Sequence, residues 1–235
     1  MSDDERFEHL LAGGGLSPAA RNAMVARIRA GGVRDPRVLA AMAAVPREEF
    51  VSEGFEEAAY ADRALPIGYR QTISQPLMVA IMVEALGLRG GERVLDVGTG
   101  SGYQAAVLAA CGAQVVTIER IPALAKAARL RLARLGYDCE VLAGDGTRAL
   151  SGRPPFDGVI VGAAAPAPPH SLLAALDSGG RLVVPLRRGG ATENERLVRL
   201  TRLHGSDRDG FREEDLGPCR FVPLVGAEGF HPENA

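Results

Sequence analysis

A short apolar run that ends in a glycine-rich turn constrains this chain more than any other feature. Val94-Leu95-Asp96-Val97 reads as a buried strand, and Gly98-Thr99-Gly100-Ser101-Gly102 follows it directly. The small-residue stretch Tyr103 to Ala110 then reads as a helix closed by Gly112. Strand, glycine turn and helix in that order belong in an open α/β sheet, where ligands sit beyond the carboxyl ends of the strands. The same grammar continues downstream. Gln114–Ile118, Cys139–Leu142, Phe156–Val161 and Arg181–Leu186 read as strands, the last after a turn at Gly179-Gly180. Pro122–Leu135 and Ser171–Leu176 read as helices. This alternation predicts an α/β, doubly wound, mostly parallel Rossmann-like sheet covered on both faces.

The flanks differ. Residues 17–50 read as helical, with Asp35 as an N-cap, Pro36 at the first helical position, and Val38, Leu39, Met42 and Val45 as an apolar stripe that Pro46 ends. Residues 51–73 are turn-rich, and a helix runs from about Gln75 to Leu86 with Gly87 closing it. Beyond Gly190, Arg196–Leu203 alternates as a strand does, 205–210 is a turn, and Arg220–Leu224 is a further strand. These last strands are expected to extend the sheet antiparallel. Residues 1–16, ending in Gly13-Gly14-Gly15, are expected to be a flexible tail. The length of 235 residues then suits one domain over 17–235.

The turn spacing discriminates among ligands. A dinucleotide site wants Gly-x-Gly-x-x-Gly, but here the third glycine comes one residue early and Tyr103 fills a position that should be small. A phosphate-binding Walker loop would need Gly-Lys-Ser/Thr, which does not follow. Gly-x-Gly-x-Gly preceded by Asp96 suits S-adenosyl-L-methionine, a ligand without phosphates whose amino-acid end and sulfonium favour a nearby carboxylate. Glu119, 21 residues after Gly98, ends the second strand, where a carboxylate can accept both ribose hydroxyls. Asp145 ends the third strand in Gly144-Asp145-Gly146 and could bond the adenine amino group. Alone, each has a plain alternative: a tight turn, a surface acid, a turn former. Together, at successive strand ends, they point to one cofactor site. Its candidates are Asp96, Gly98, Thr99, Gly100, Ser101, Gly102, Glu119, Arg120, Asp145 and Gly146. On this division residues 76–190 are the cofactor-binding core, 17–75 a helical and loop cap over the substrate, and 191–235 the C-terminal strands.

Bulk properties remove other classes. A net charge of -2 favours neither nucleic acid nor a membrane surface. Cys111, Cys139 and Cys219, odd in number and widely spaced, suit neither a disulfide framework nor a zinc site, and no metal is expected. They read as reduced, core-filling thiols of a cytoplasmic protein. The acidic start Met1-Ser2-Asp3-Asp4-Glu5 lacks the apolar region of a signal peptide.

With these residues placed, the chain resembles the protein-L-isoaspartate O-methyltransferase family over about residues 17–230. The most specific stretch is Leu65-Pro66-Ile67-Gly68 followed by Gln71-Thr72-Ile73-Ser74-Gln75-Pro76. Val45-Pro46-Arg47-Glu48-Glu49-Phe50, the helix Tyr103 to Leu108, Pro155-Phe156-Asp157 and Phe221-Val222-Pro223-Leu224-Val225-Gly226 also match. The family usually has glycine where Arg70 and Ala149 stand, a small residue at Pro154, and valine-glycine where Leu186-Arg187 stand. The resemblance implies a methyltransferase fold, methylation of the free α-carboxylate of isoaspartyl residues in proteins or peptides, and spontaneous closure of the ester to a succinimide. It implies Ser74 as the active-site serine, with Thr72, Ile73 and Gln75 beside it at the substrate. Physically, Ser74 could hold one carboxylate oxygen toward the methyl group, or simply cap the helix that begins near Gln75. Methylation of an aspartate in one dedicated ribosomal peptide, and a non-catalytic adenosylmethionine-binding scaffold, stay open at this point.

Overall fold

The computed structural model describes residues 18–148, 152–187, 195–203, 210–231 and 233. The expected tail over 1–16, the departure at Ala149 and most of the turn over 205–210 lie outside them.

A seven-stranded sheet forms the centre, in the order β5 (Cys139–Ala143), β4 (Gln114–Glu119), β3 (Arg93–Val97), β6 (Phe156–Val161), β7 (Leu176–Arg187), β8 (Glu195–Arg202), β9 (Phe211–Pro218). Strands β3 to β7 run parallel, and β8 and β9 are antiparallel additions at one edge. The chain leaves β3 toward β4 and β5, then returns to β6 on the other side of β3. That reversal opens a crevice at the carboxyl ends of β3 and β6. Alternate residues of β3 serve opposite faces. Val94 packs with the core built by α1 (Pro18–Ala30), α2 (Pro36–Ala44), α3 (Pro76–Leu86) and α4 (Tyr103–Ala110). Leu95 and Val97 pack on the far face with Ile118, Val159 and Leu172, the last from the short α6 (His170–Ala174). Helix α5 (Pro122–Arg134) buries Leu124, Ala128 and Leu132.

The N-terminal helices obey their sequence signals. Asp35 Oδ1 accepts from Arg37 N at 2.8 Å, Pro36 opens α2, and Val38, Leu39, Met42 and Val45 are buried.

Three expectations need correction. Residues 65–73 are not merely turns: β1 (Leu65–Gly68) and β2 (Gln71–Ile73) pair as a small separate hairpin. Gly179-Gly180 lies inside β7 rather than before it. Phe156 pairs with Leu176 but Gly158 with Arg181, so the strand bulges there. A side chain on Gly180 would meet Phe156 O at 3.1 Å, so glycine serves close backbone approach. The last strand is Phe211–Pro218, not Arg220–Leu224. At this sheet edge it is charged rather than apolar, with Glu214 on Arg199 at 2.9 Å and Asp215 on Arg196 at 2.9 Å, so it shows no apolar alternation. Residues 220–224 instead form a strap across the carboxyl end of β6. Ala164 N donates to Val222 O at 2.8 Å and Leu224 N donates to Ala164 O at 2.7 Å, with Pro223 between them.

Arg187 now has a structural account. It pairs with the buried Glu195 at 2.8 Å, and Glu195 Oε2 accepts from Phe221 N at 2.7 Å, so this ion pair anchors the start of the strap.

Candidate active site

Beyond the crevice lies a cavity of ≈ 380 Å³. Gly98 and Gly162, at the ends of β3 and β6, form its floor, and Gly162 N bonds Val97 O at 2.8 Å. Ile118, Glu119, Arg120 and Ile121 make one wall, Gly144 and Gly146 another. The hairpin tip Tyr69–Thr72 and the strap Val222–Val225 close the sides. Gly98, at φ +95°, presents only backbone there, 3.8 Å from Gly162 at the position a Cβ would take. A smaller recess of ≈ 40 Å³ shares Thr72, Gly98, Gly100 and Gly162 with the large one. Ile73, Ser74, Thr99, Ser101, Tyr103 and Gln104 line it.

Four amide groups of the glycine turn are already engaged. Gly98 N and Thr99 N donate to Ile118 O at 2.8 and 3.3 Å, Gly100 N to Glu119 Oε2 at 2.9 Å, and Gly102 N to Thr99 O at 2.8 Å. A pyrophosphate needs such donors free and would face the Glu119 carboxylate. The turn is therefore built for a ligand without phosphates. Glu119 lies at the cavity wall with its other oxygen accepting from Ile121 N at 2.8 Å. Each carboxylate oxygen has a second lone pair, so ribose hydroxyls can still be accepted. Cavity size, glycine floor and carboxylate wall together fit adenosylmethionine.

Not every candidate faces this space. Asp96 is fully buried: Gln104 Nε2 donates to its Oδ1 at 2.7 Å and Thr117 Oγ1 to its Oδ2 at 2.8 Å. Burial pushes its carboxyl up to about 6 against those two hydrogen bonds, with Glu119 adding repulsion. It lines neither cavity and braces the turn from behind. Gly102 lines neither cavity; a side chain there would crowd Leu132 at 3.3 Å, so it is a packing glycine at the N-cap of α4. Thr99 Oγ1 shares a hydrogen bond with Thr117 Oγ1 at 2.6 Å. Asp145 sits on the rim beside Gly144 and Gly146, but its oxygens hold Thr147 Oγ1 at 2.7 Å and Ala227 N at 2.8 Å. Burial raises its pKa, and the bonds from Ala227 and Thr147 outweigh that and lower it overall. In this structure Asp145 clasps the far end of the strap.

Ser74 is not the helix cap. Helix α3 begins at Pro76 with Gln75 in the N-cap position, and Gln75 makes no capping bond and lines neither cavity. Among the described residues nothing bonds the Ser74 hydroxyl, whereas Ser74 O accepts from Arg47 Nη2 at 2.7 Å. Three contributors escaped the sequence reading: Gln104, Thr117 and Arg47. The first two showed only as ordinary polar residues in a helix and a strand. Arg47 lay within a family-like stretch but gave no sign of being buried.

A doubly wound sheet with an acid ending β4 beside a phosphate-averse glycine turn defines the adenosylmethionine-dependent methyltransferases. The family model for protein-L-isoaspartate(D-aspartate) O-methyltransferase matches residues 19–229. A protein-L-isoaspartate O-methyltransferase of Rhodopseudomonas palustris is 52% identical over 211 residues, 89% of this chain and 94% of its own. One from Methanospirillum hungatei is 48% identical, over 88% of this chain and 93% of its own. A solved protein-L-isoaspartate O-methyltransferase superposes with a TM-score of 0.76 at 25% identity, over 89% of this chain and 67% of that one. A Plasmodium falciparum structure in complex with S-adenosyl-L-homocysteine, 24% identical, shares the fold with a TM-score of 0.72, over 86% of this chain and 97% of that one. The chain belongs to the protein-L-isoaspartate O-methyltransferase family, and its cofactor is S-adenosyl-L-methionine.

Proposed function

We propose that this chain methylates the free α-carboxylate of L-isoaspartyl residues in damaged proteins and peptides, with Ser74 holding the carboxylate. The observation that carries this is the hydroxyl of Ser74, unpartnered among the described residues, in a recess that shares Thr72, Gly98, Gly100 and Gly162 with the lining of the cofactor cavity. Glu119, Gly98, Gly100, Arg120 and Gly146 would hold adenosylmethionine in the larger space. Thr99 and Ser101 would bound its inner end. When bound, it supplies an electrophilic methyl group on a sulfonium.

The chain's own residues have a limited task. A carboxylate of pKa about 4 is ionised at neutral pH, so no general base is required. The described histidines, His170 and His231, line neither cavity. Burial pushes each cysteine thiol up to about 12, which makes it a poor nucleophile. Catalysis is therefore positioning. Ser74 donates to one carboxylate oxygen, Thr72 flanks the peptide, and Ile73 and Tyr103 limit water at the inner end. Residues 18–75 act as the substrate cap. A cytoplasmic setting agrees with three free cysteines and with the absence, among the described residues, of a helix long and apolar enough to cross a membrane.

Incubation with labelled adenosylmethionine and an isoaspartyl peptide, beside its normal-aspartyl twin, tests this reading. Label on the isoaspartyl peptide alone is expected. Equal labelling of both would reject isoaspartyl selectivity, and label on neither would leave a binding scaffold or a dedicated client.

A further inference from the structure

Arg47 is fully buried, yet no carboxylate lies within ion-pair distance of it among the described residues. Its Nε donates to Ala59 O at 2.7 Å and its Nη2 to Ser74 O at 2.7 Å. Its guanidinium lies 4.6 Å from the centre of the Tyr103 ring, itself held edge-on by Phe50. Its Nη1 is buried with no hydrogen-bond partner. Burial lowers its pKa from the ordinary arginine value, the direction expected of a charge removed from water.

Such a residue is a poor device for stability. A buried charge costs several kcal/mol unless paired, and a matched apolar side chain often serves the fold as well or better. The position of Arg47 offers a different reason for it. It joins three elements: the loop through Ala59, the Ser74 segment, and Tyr103 at the start of the helix after the glycine turn. The Ser74 carbonyl is the group it grips at the recess.

We infer that Arg47 is a positioning residue for methyl transfer: it fixes the Ser74 peptide group so that the Ser74 hydroxyl faces the substrate carboxylate. This rests on the assignment of Ser74 made above. The guanidinium acts through the Ser74 carbonyl and does not touch substrate. Its positive charge behind that peptide group also favours an anion in the recess; Asp62 acts on that charge from beyond ion-pair distance and does not pair with it.

Two substitutions test it. Arg47→Lys keeps the charge and loses the fork that spans Ala59 and Ser74. Arg47→Met keeps bulk and removes the charge. Both are expected to fold and to bind adenosylmethionine within about threefold of wild type, while kcat for an isoaspartyl peptide falls by about tenfold or more, with Arg47→Met the slower. In a double-mutant cycle, Arg47→Lys is expected to slow Ser74→Ala little further, because its effect passes through Ser74. Several results overturn the inference. One is wild-type kcat in both variants while Ser74→Ala is impaired; another is full additivity in the cycle. Failure of both variants to fold would also overturn it, since the residue would then be held for structure alone. If instead Ser74→Ala keeps full activity, the Ser74 assignment itself falls, and that outcome is distinct from the others.

Discussion

The two halves of the cavity are held in different ways. The cofactor half, from Asp96 to Gly102 with Glu119, is set between parallel strands, and its polar groups answer one another. Glu119 braces Gly100 and Ile121, Asp96 receives Gln104 and Thr117, and Thr117 meets Thr99. The proposed substrate half, Leu65 to Gln75, hangs outside the sheet on a hairpin of two short strands. Its tip, Tyr69-Arg70, is exposed with both residues at positive φ, and its serine hydroxyl bonds nothing in the described protein. One half is preorganised by the fold, and the other keeps its polar capacity for a ligand. That difference separates what substitutions should do: in the first half they cost stability and cofactor affinity together, and in the second they cost turnover.

The largest expected effect is Ser74→Ala. The fold and the cofactor affinity should persist, because the hydroxyl supports neither a cap nor a neighbour, while kcat for an isoaspartyl peptide falls by about 10²-fold or more. Single-turnover rates beside calorimetric titration of the cofactor read the two separately. Retained turnover would break the contrast between the halves.

Asp96 gives the next effect, on stability against pH. Its folded carboxyl is raised to about 6, above the ordinary 3.8. Between those values the folded chain holds a proton that the unfolded chain has released. Stability from this group is therefore full below about pH 4 and declines until about pH 6. Two units correspond to about 3 kcal/mol. Thermal melts of Asp96→Asn across that window should lack this decline. Parallel curves for variant and wild type would show that Asp96 does not ionise in the way its burial demands.

Glu119→Gln follows, and here the structure revises a simpler expectation. A carboxylate that served only the ribose hydroxyls would, when lost, weaken the cofactor and spare the fold. Because both oxygens brace backbone amides, one of those bonds must go as well. A cofactor Kd raised about tenfold and a stability loss of about 1 kcal/mol are expected together. Weaker binding with unchanged melting would mean that the turn holds itself without Glu119.

The same division explains what could be read from the residues alone. Strands β3, β4 and β6 and helices α4 and α5 were legible because burial on two faces writes apolar runs and helical stripes into the sequence. Glu119 and the glycine turn were legible because the sheet fixes where strand ends fall. The inward turn of Asp96 was not, since a carboxylate at a strand end reads the same whether it meets a ligand or Gln104. β9 was hidden because its pattern is one of charge: Glu214 and Asp215 answer Arg199 and Arg196 across an edge. Ser74 was singled out only through resemblance, whereas its freedom from the helix cap depends on where Pro76 starts α3, a detail of one residue.

The smallest effect tests the hairpin itself. Tyr69 and Arg70 have φ of 52° and 59°, and Gly68 pairs with Gln71 around them, so the connection is a two-residue loop with both central residues left-handed. Loops of this kind favour Asn-Gly, because glycine carries no Cβ to crowd the following carbonyl and asparagine tolerates the left-handed region. The family's usual glycine at the Arg70 position is explained by this geometry, and Arg70 departs from it at a cost to the backbone. The double substitution Tyr69→Asn, Arg70→Gly should relieve that cost against a small gain in unfolded-chain freedom, for a net stabilisation of about 0.5–1 kcal/mol. In a chain of this size that is about 2–3 °C in Tm. Steady-state kinetics on the same variant gives the second reading, because both side chains line the cavity. A higher Tm with a higher KM for the isoaspartyl peptide would mean that the strain is kept for substrate contact. An unchanged or lower Tm would mean that the hairpin is already relaxed, and the contrast between a preorganised half and a strained one would fail at its tip.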